Sequence, residues 1–171
     1  SQTMLSDSKT PAVDATAIAV RLKLLTPSDA EQLRAASEKD GVPPLQAALQ
    51  TGLLSAETID IVETLLRPQD SIPGYEMLDL LGRGGMGVVY RARQMNLQRI
   101  VALKTIRVGR MADLSVVARF ELEARTIAQL QHPNIVSAFD FGRHGGRLYL
   151  AMEYVEGNSA ESLSERQGPL P

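Results

Sequence analysis

The rhythm of apolar and polar positions changes once along the chain, near "RPQDSIPG" at residues 67–74. Before it, apolar residues return at three- and four-residue steps: Ile59, Val62 and Leu66 make one such row, and Leu45, Ala48 and Leu49 another. That is the spacing of one face of a helix. Thr26 with Pro27 behind it, and Ser55 with Glu57 close by, stand where helices start, while Gly41 and Gly52 stand where helices stop. A weak repeat supports the reading, because "LLTPSDAEQLRAA" from Leu24 and "LLSAETIDIVETL" from Leu53 share a Leu-Leu-hydroxyl turn ahead of a helical pattern. The pattern predicts a disordered tail over 1–14, a small domain of four short helices over 15–66, and a proline-stiffened linker over 67–73.

Beyond the linker, alternation takes over. Residues 75–81, 87–93, 99–106, 137–142 and 147–155 are rich in strand formers, and the third and fifth runs are almost continuously apolar. Between the third and fourth lies "LSVVARFELEARTIAQLQ" (114–131), with helical periodicity. The expected class is α+β: a helical domain, then over 74–171 a five-stranded antiparallel sheet with one long helix.

Composition narrows the chemistry. The 171 residues are 44% apolar and carry a formal charge of −2, which supplies no electrostatic reason for nucleic acid or an anionic membrane as partner. There are no cysteines and two histidines, so neither a disulfide framework nor a thiolate or multi-histidine metal site is expected. No apolar run is long enough for a membrane span, and the start lacks the apolar core of a signal peptide. The expectation is a cytoplasmic protein without membrane contact in this segment.

"LLGRGGMGVVYRARQ" (80–94) places four glycines within 82–87 and continues at once into β-branched and aromatic residues. A GxGxxG of this kind also spells a dinucleotide-binding turn, but such a turn opens a helix, whereas Val88, Val89 and Tyr90 continue as strand. A Walker A loop would require Gly-Lys-Ser/Thr, and none is present. A glycine-rich hairpin without a ligand remains open on these residues alone. Lys104 then lies inside the apolar strand "VALKTI", where an ammonium facing inward needs an anion. Val116, Phe120, Glu123, Ile127 and Leu130 form one stripe of the following helix, so Glu123 is the charge on its apolar face and Glu121 is directed elsewhere.

In this order and spacing, "GRGGMGVVYRA", "VALK", "RFELEA", "LQHPNIV" and "YLAMEYVEG" resemble the N-terminal lobe of bacterial eukaryotic-like serine/threonine protein kinases, over roughly residues 72–167. The resemblance implies that Leu81, Gly82, Arg83, Gly84, Gly85, Met86, Gly87, Val88 and Val89 arch over ATP, with loop backbone N–H groups near the phosphates. It implies that Lys104 holds the α- and β-phosphates and that Glu123 orients Lys104, the two residues with a catalytic assignment. Val89 and Ala102 would roof the adenine, Met152 would stand as gatekeeper, Glu153 and Val155 would offer hinge backbone, and Ser159 would lie near the ribose.

His132 in "HPN" reads as a structural residue of a turn, and His144 in "GRHGGR" as a solvated hairpin tip. Ala160 departs from the leucine usual at its position. The family's His-Arg-Asp catalytic loop has no match in the sequence, and no Asp-Phe-Gly metal site follows one; the Asp-Phe-Gly at 140–142 lies inside the fourth strand run. ATP is thus the implied cofactor, with Mg2+ expected for a full kinase through ligands this chain does not carry. Two readings follow: the ATP-binding portion of a serine/threonine kinase acting on protein substrates, inactive by itself, or a non-catalytic stand-alone lobe or pseudokinase module. The apolar underside of the lobe adds an expectation of self-association. The helical domain, whose Leu-Leu-hydroxyl turns resemble those in N-terminal domains of type II secretion ATPases, is read more plainly as a docking or regulatory unit.

Overall fold

The computed structural model describes residues 14–84, 87–107, 114–129 and 138–154. The backbone divides into two compact units, with the boundary between Leu66 and Arg67.

The first unit holds four helices: α1 (Ala15–Arg21), α2 (Pro27–Asp40), α3 (Pro44–Thr51) and α4 (Ala56–Leu66). Local chemistry sets their ends. The Thr26 hydroxyl accepts from Asp29 N–H at the start of α2, with Pro27 in its first turn; Gly41 and Gly52 close α2 and α3 at φ of 69° and 75°, the left-handed caps that favour glycine. Ser55 caps α4 reciprocally with Thr58, since Ser55 Oγ accepts from Thr58 N–H at 3.2 Å and Ser55 N–H donates to Thr58 Oγ1 at 2.8 Å. Thr58, three residues on, is therefore the partner instead of Glu57.

Three expectations shift here. The α4 core face is Thr58, Ile61, Val62 and Leu65, one position away from the row through Ile59 and Leu66. In α3 the buried pair is Ala47 and Ala48, and Leu49 is exposed. In α3 the shift follows from a short helix turning its small residues inward to approach closely; in α4 the packing of the neighbouring helices selects Ile61 and Leu65 over Ile59 and Leu66. Asp14, placed by sequence in a disordered tail, is the N-cap of α1: its carboxylate accepts from Thr16 N–H at 3.0 Å, from the Thr16 hydroxyl at 2.7 Å and from Arg34 Nε at 2.8 Å. Residues 1–13 of that tail lie outside the described residues.

The second unit is a sheet in the order β1-β2-β3-β5-β4, antiparallel throughout, built from β1 (Tyr75–Gly84), β2 (Gly87–Gln94), β3 (Arg99–Arg107), β4 (Ala138–His144) and β5 (Arg147–Glu153). Helix α5 (Leu114–Gln129) lies between β3 and β4 in the chain. Strand alternation sends Ala102, Ile106, Leu148, Leu150 and Met152 to one face, where they pack with Phe120 and Ala124 of α5. Val88, Tyr90, Ala92, Val101, Leu103, Thr105 and Ala151 belong to the other face and are also buried.

That second face is closed by coiling of the sheet. β1 and β4 are its two edges, which a flat five-stranded sheet would hold roughly 19 Å apart. Yet the Tyr75 hydroxyl donates to Asp140 Oδ2 at 2.9 Å, and the Tyr75 and Tyr149 rings lie 5.8 Å apart. Gln94 Nε2 donates to Tyr75 Oη, Arg99 Nε donates to Gln94 Oε1 at 2.6 Å, and the Arg99 guanidinium stacks over Phe139 at 3.8 Å. This clasp joins β1, β2, β3 and β4.

Residues 67–73 belong to the sheet unit and are not a free tether. Met77 N–H donates to the Pro68 carbonyl at 2.8 Å, Gln69 Nε2 donates to Glu76 Oε2 at 2.9 Å, and Ile72 is fully buried. The apolar Ile72 inside an otherwise polar run is what draws the segment down.

Two expected outcomes test these ends of the fold. Burial raises the Asp14 carboxyl, but the Thr16 and Arg34 hydrogen bonds and the Arg34 charge outweigh it and hold the group below its ordinary value of 3.8. A depressed carboxyl stabilises above its unfolded value and loses that contribution as pH falls. Asp14→Ala should therefore cost about 1 kcal/mol at neutral pH in denaturant unfolding, and the gap to wild type should close below the ordinary carboxylate range. Burial first, then the hydrogen bond and charge of Asp140, push the Tyr75 phenol well above its ordinary value near 10. The folded state then keeps a proton that the unfolded chain releases, so stability present below pH 10 is lost above it. Tyr75→Phe should lower the urea midpoint at neutral pH and show a smaller alkaline decline than wild type, the Tyr149 phenol, also raised, sustaining the remainder.

Candidate nucleotide site

The described glycines of the glycine-rich stretch end β1 and open β2, which pair as a hairpin. Pairing runs through Gly82↔Val89 and Arg83↔Val88 to Gly84↔Gly87, so β1 continues three residues past the expected end at Leu81. Register shifts between Met77 and Asp79 and between Leu80 and Gly82 bend it on the way. Gly87 opens the return strand at φ 118°, and a Cβ there would collide with the Thr105 carbonyl oxygen and sit 2.6 Å from Ile106 Cγ2. Both reasons demand glycine at this position.

Next to that hairpin stands Lys104, directly across from Val89 on β3. Its ammonium donates to both Glu123 carboxylate oxygens, at 2.9 and 3.0 Å, and the two side chains are 12% and 21% exposed. Glu123, rather than Glu121, is the carboxylate turned to the sheet. The register follows from packing: Val117, Phe120 and Ala124 meet the sheet core, and Glu123 lies on the flank of that stripe. Two N–H groups given to one carboxylate leave the third of the ammonium for another anion.

An apolar surface adjoins the charge. Leu81 and Val89 are partly buried and pack against the cluster that contains Ala102 and Met152, both buried, with Tyr154 beside them. Val88 is buried on the opposite face of the hairpin, across from Thr105, so it could serve a ligand on the Lys104 face only through its backbone. Arg83 and Gly84 are exposed, and Glu153 ends β5 exposed and paired with Val101. His144 is exposed and precedes the Gly145–Gly146 turn, with φ of 56° and 76°. Gly85, Met86, Leu130, His132, Val155, Ser159 and Ala160 lie outside the described residues.

A glycine that admits no Cβ, a held ammonium and adjoining apolar side chains are now in one place. The model of the protein kinase domain matches residues 75–171, more than half the chain. The chain belongs to the protein kinase family. Its sheet unit is that family's N-terminal lobe. It is 44% identical over 97 residues to serine/threonine-protein kinase pkn3 of Myxococcus xanthus, covering 56% of this chain and 18% of that protein. It is 41% identical over 96 residues to serine/threonine-protein kinase PrkC of Bacillus subtilis, covering 56% and 15%. With serine/threonine-protein kinase PknB of Mycobacterium leprae it shares 41% over 101 residues, covering 57% and 16%. The chain thus spans less than a fifth of the length of each of these relatives.

ATP fits the kinase-lobe residues that are present: bare backbone, one cation with a spare donor, and apolar surface. For magnesium the outcome differs, because among the described residues no three His, Cys, Asp or Glu side chains gather to hold a metal. Sequence reasoning reached Lys104, Glu123 and the glycines. It did not reach Ile106 and Thr105, whose only signal is that they follow Lys104 in β3 and so face the end of the glycine run once the register is known.

The ion pair has a measurable strength. In a double-mutant cycle of Lys104→Met and Glu123→Gln, followed by denaturant unfolding, the coupling should be about 1–2 kcal/mol, above that of an exposed pair because both groups are largely covered. Additive single effects would show that the two charges contribute independently.

Proposed function

We propose that the sheet unit is the ATP-binding lobe of a bacterial serine/threonine protein kinase that transfers the γ-phosphoryl group of ATP to Ser or Thr hydroxyls of protein substrates in cytoplasmic signalling. The observation that carries this reading is the Lys104–Glu123 pair, held beside a hairpin whose Gly87 tolerates no side chain. In this reading the spare Lys104 N–H takes the α- and β-phosphates, and loop backbone N–H groups approach the phosphates where no Cβ intervenes. Leu81, Val89, Ala102 and Met152 cover the adenine faces, Glu153 and Val155 offer backbone to its edge, and Ser159 stands near the ribose. Magnesium would supply charge neutralisation at the phosphates through ligands that the described residues do not provide.

The 171 residues contain no His-Arg-Asp, and their Asp-Phe-Gly, at residues 140–142, is part of β4 and follows no catalytic loop, so this stretch by itself binds nucleotide weakly and transfers nothing. The helical unit serves as a docking or regulatory domain. No helix among the described residues is long and apolar enough to cross a membrane. Self-association through the uncovered apolar surface of the lobe accompanies this reading, and light scattering on the purified chain reads it directly.

Titration of the purified chain with ATP by calorimetry tests the central claim. Weak binding that falls at least tenfold in Lys104→Met supports it, since that variant removes one charge-assisted hydrogen bond to the phosphates. Binding that Lys104→Met leaves unchanged refutes the phosphate role, as does any transfer of radiolabelled phosphate to a protein substrate refute the claim of inactivity.

A further inference from the structure

We propose that Ile106 is a positioning residue that sets the base of the glycine-rich hairpin against helix α5, through the Cγ2 methyl that lies over Gly87. The inference rests on the nucleotide reading only for its consequence for affinity, and on geometry alone for the positioning itself.

Four observations converge on this side chain. Val88 pairs with Thr105 and Val89 with Lys104, so the next step of the ladder sets Gly87 opposite Ile106, on the face that carries Lys104. A Cβ on Gly87 would come within 2.6 Å of Ile106 Cγ2, so that methyl already occupies the space above the glycine. Ile106 is only 6% exposed and belongs to the same packed cluster as Phe120 and Ala124 of α5. On its other side it pairs with Leu148 of β5. One branched side chain therefore lies over the first residue of the return strand and shares a packed cluster with the helix that carries Glu123.

Branching at Cβ is what allows both interactions. An isoleucine has one preferred χ1 and two arms: the short one reaches sideways along the sheet, and the long one enters the core. Leucine has the same atoms but no methyl at Cβ, so it fills the core and uncovers Gly87. Beneath the hairpin, Thr105 Oγ1 donates to the Val88 carbonyl at 3.4 Å from the opposite face. The return strand is thus gripped from both sides just after the turn. Phe120 of α5 and Ile106 belong to one close-packed cluster, so the proposed positioning couples the loop base to the helix that bears Glu123.

Three variants of the whole chain separate positioning from mere packing. Ile106→Val keeps Cγ2 and loses core volume, Ile106→Leu keeps core volume and loses Cγ2, and Leu148→Ile repacks the same cluster away from Gly87. Hydrogen–deuterium exchange without nucleotide is read at residues 87–89, together with the thermal midpoint. Ile106→Leu should raise exchange at 87–89 by about fivefold or more, the range of a volume-conserving core swap. Ile106→Val and Leu148→Ile should lower the midpoint and leave exchange at 87–89 relative to the rest of β2 unchanged. If Ile106→Val loosens the loop as much as Ile106→Leu, or if Ile106→Leu leaves it protected, the proposal is wrong. ATP titration of the same variants then reads the consequence: affinity should fall with Ile106→Leu only. A wild-type chain that binds no ATP would overturn the nucleotide reading, while the exchange comparison would still decide the role of Ile106.

Discussion

An ammonium group set into an apolar sheet face has to be answered by an anion, and this constraint organises the sheet unit. Lys104 shares its face with Ala102, Ile106, Leu150 and Met152, and its carboxylate partner comes from helix α5, which packs there. An uncompensated charge in that position would cost several kcal/mol. The register of α5 is thereby doubly determined: Phe120 and Ala124 must enter the core, and Glu123 must meet the lysine. A helix rotated by one residue would satisfy neither.

The second constraint is that both faces of the five-stranded sheet carry buried apolar residues, while among the described residues of the sheet unit helix α5 packs on one of them. Tyr90, Val101 and Leu103 are completely buried on the face away from α5. Coiling supplies the missing cover by bringing the two edges of the sheet toward each other, and the polar groups at the seam are mutually satisfied: Tyr75 with Asp140, Gln94 with Tyr75, Arg99 with Gln94. The Gly142 backbone takes part as well, since a Cβ there would sit 2.6 Å from Tyr149 Cζ. The glycine leaves room for the ring that packs against Tyr75.

Helix ends in the first unit show a different balance. Its core is small and rich in alanine, with Ala19, Ala30, Ala47 and Ala48 buried, so little apolar area is available per residue. Capping carries correspondingly more weight: Asp14, Thr26 and Ser55 each satisfy backbone N–H groups, and Gly41 and Gly52 close the opposite ends. Asp14 also ties α1 to α2 through Arg34, an interaction between residues twenty apart.

Much of this was legible in the sequence, and for one kind of reason. Periodicity, capping residues and β-branched runs act over a few neighbours, so four helices, five strands and one long helix could be placed, as could Lys104 and Glu123 as the charges on apolar faces. The glycine run, the lysine strand and the helix glutamate occur in kinase order, and the family follows from them. What only the tertiary structure decided depends on residues far apart in the chain. Ile59 and Ile61 are equally apolar, and the helices around them select which one faces inward. Residues 67–73 look like a tether until Ile72 and the Pro68 carbonyl find the sheet. Nothing local marks Tyr75 and Asp140 as partners, or Ile106 as the side chain above Gly87, because strand register and sheet curvature create those pairings. Local propensity is written residue by residue, whereas burial and cross-strand pairing are properties of the whole packed arrangement.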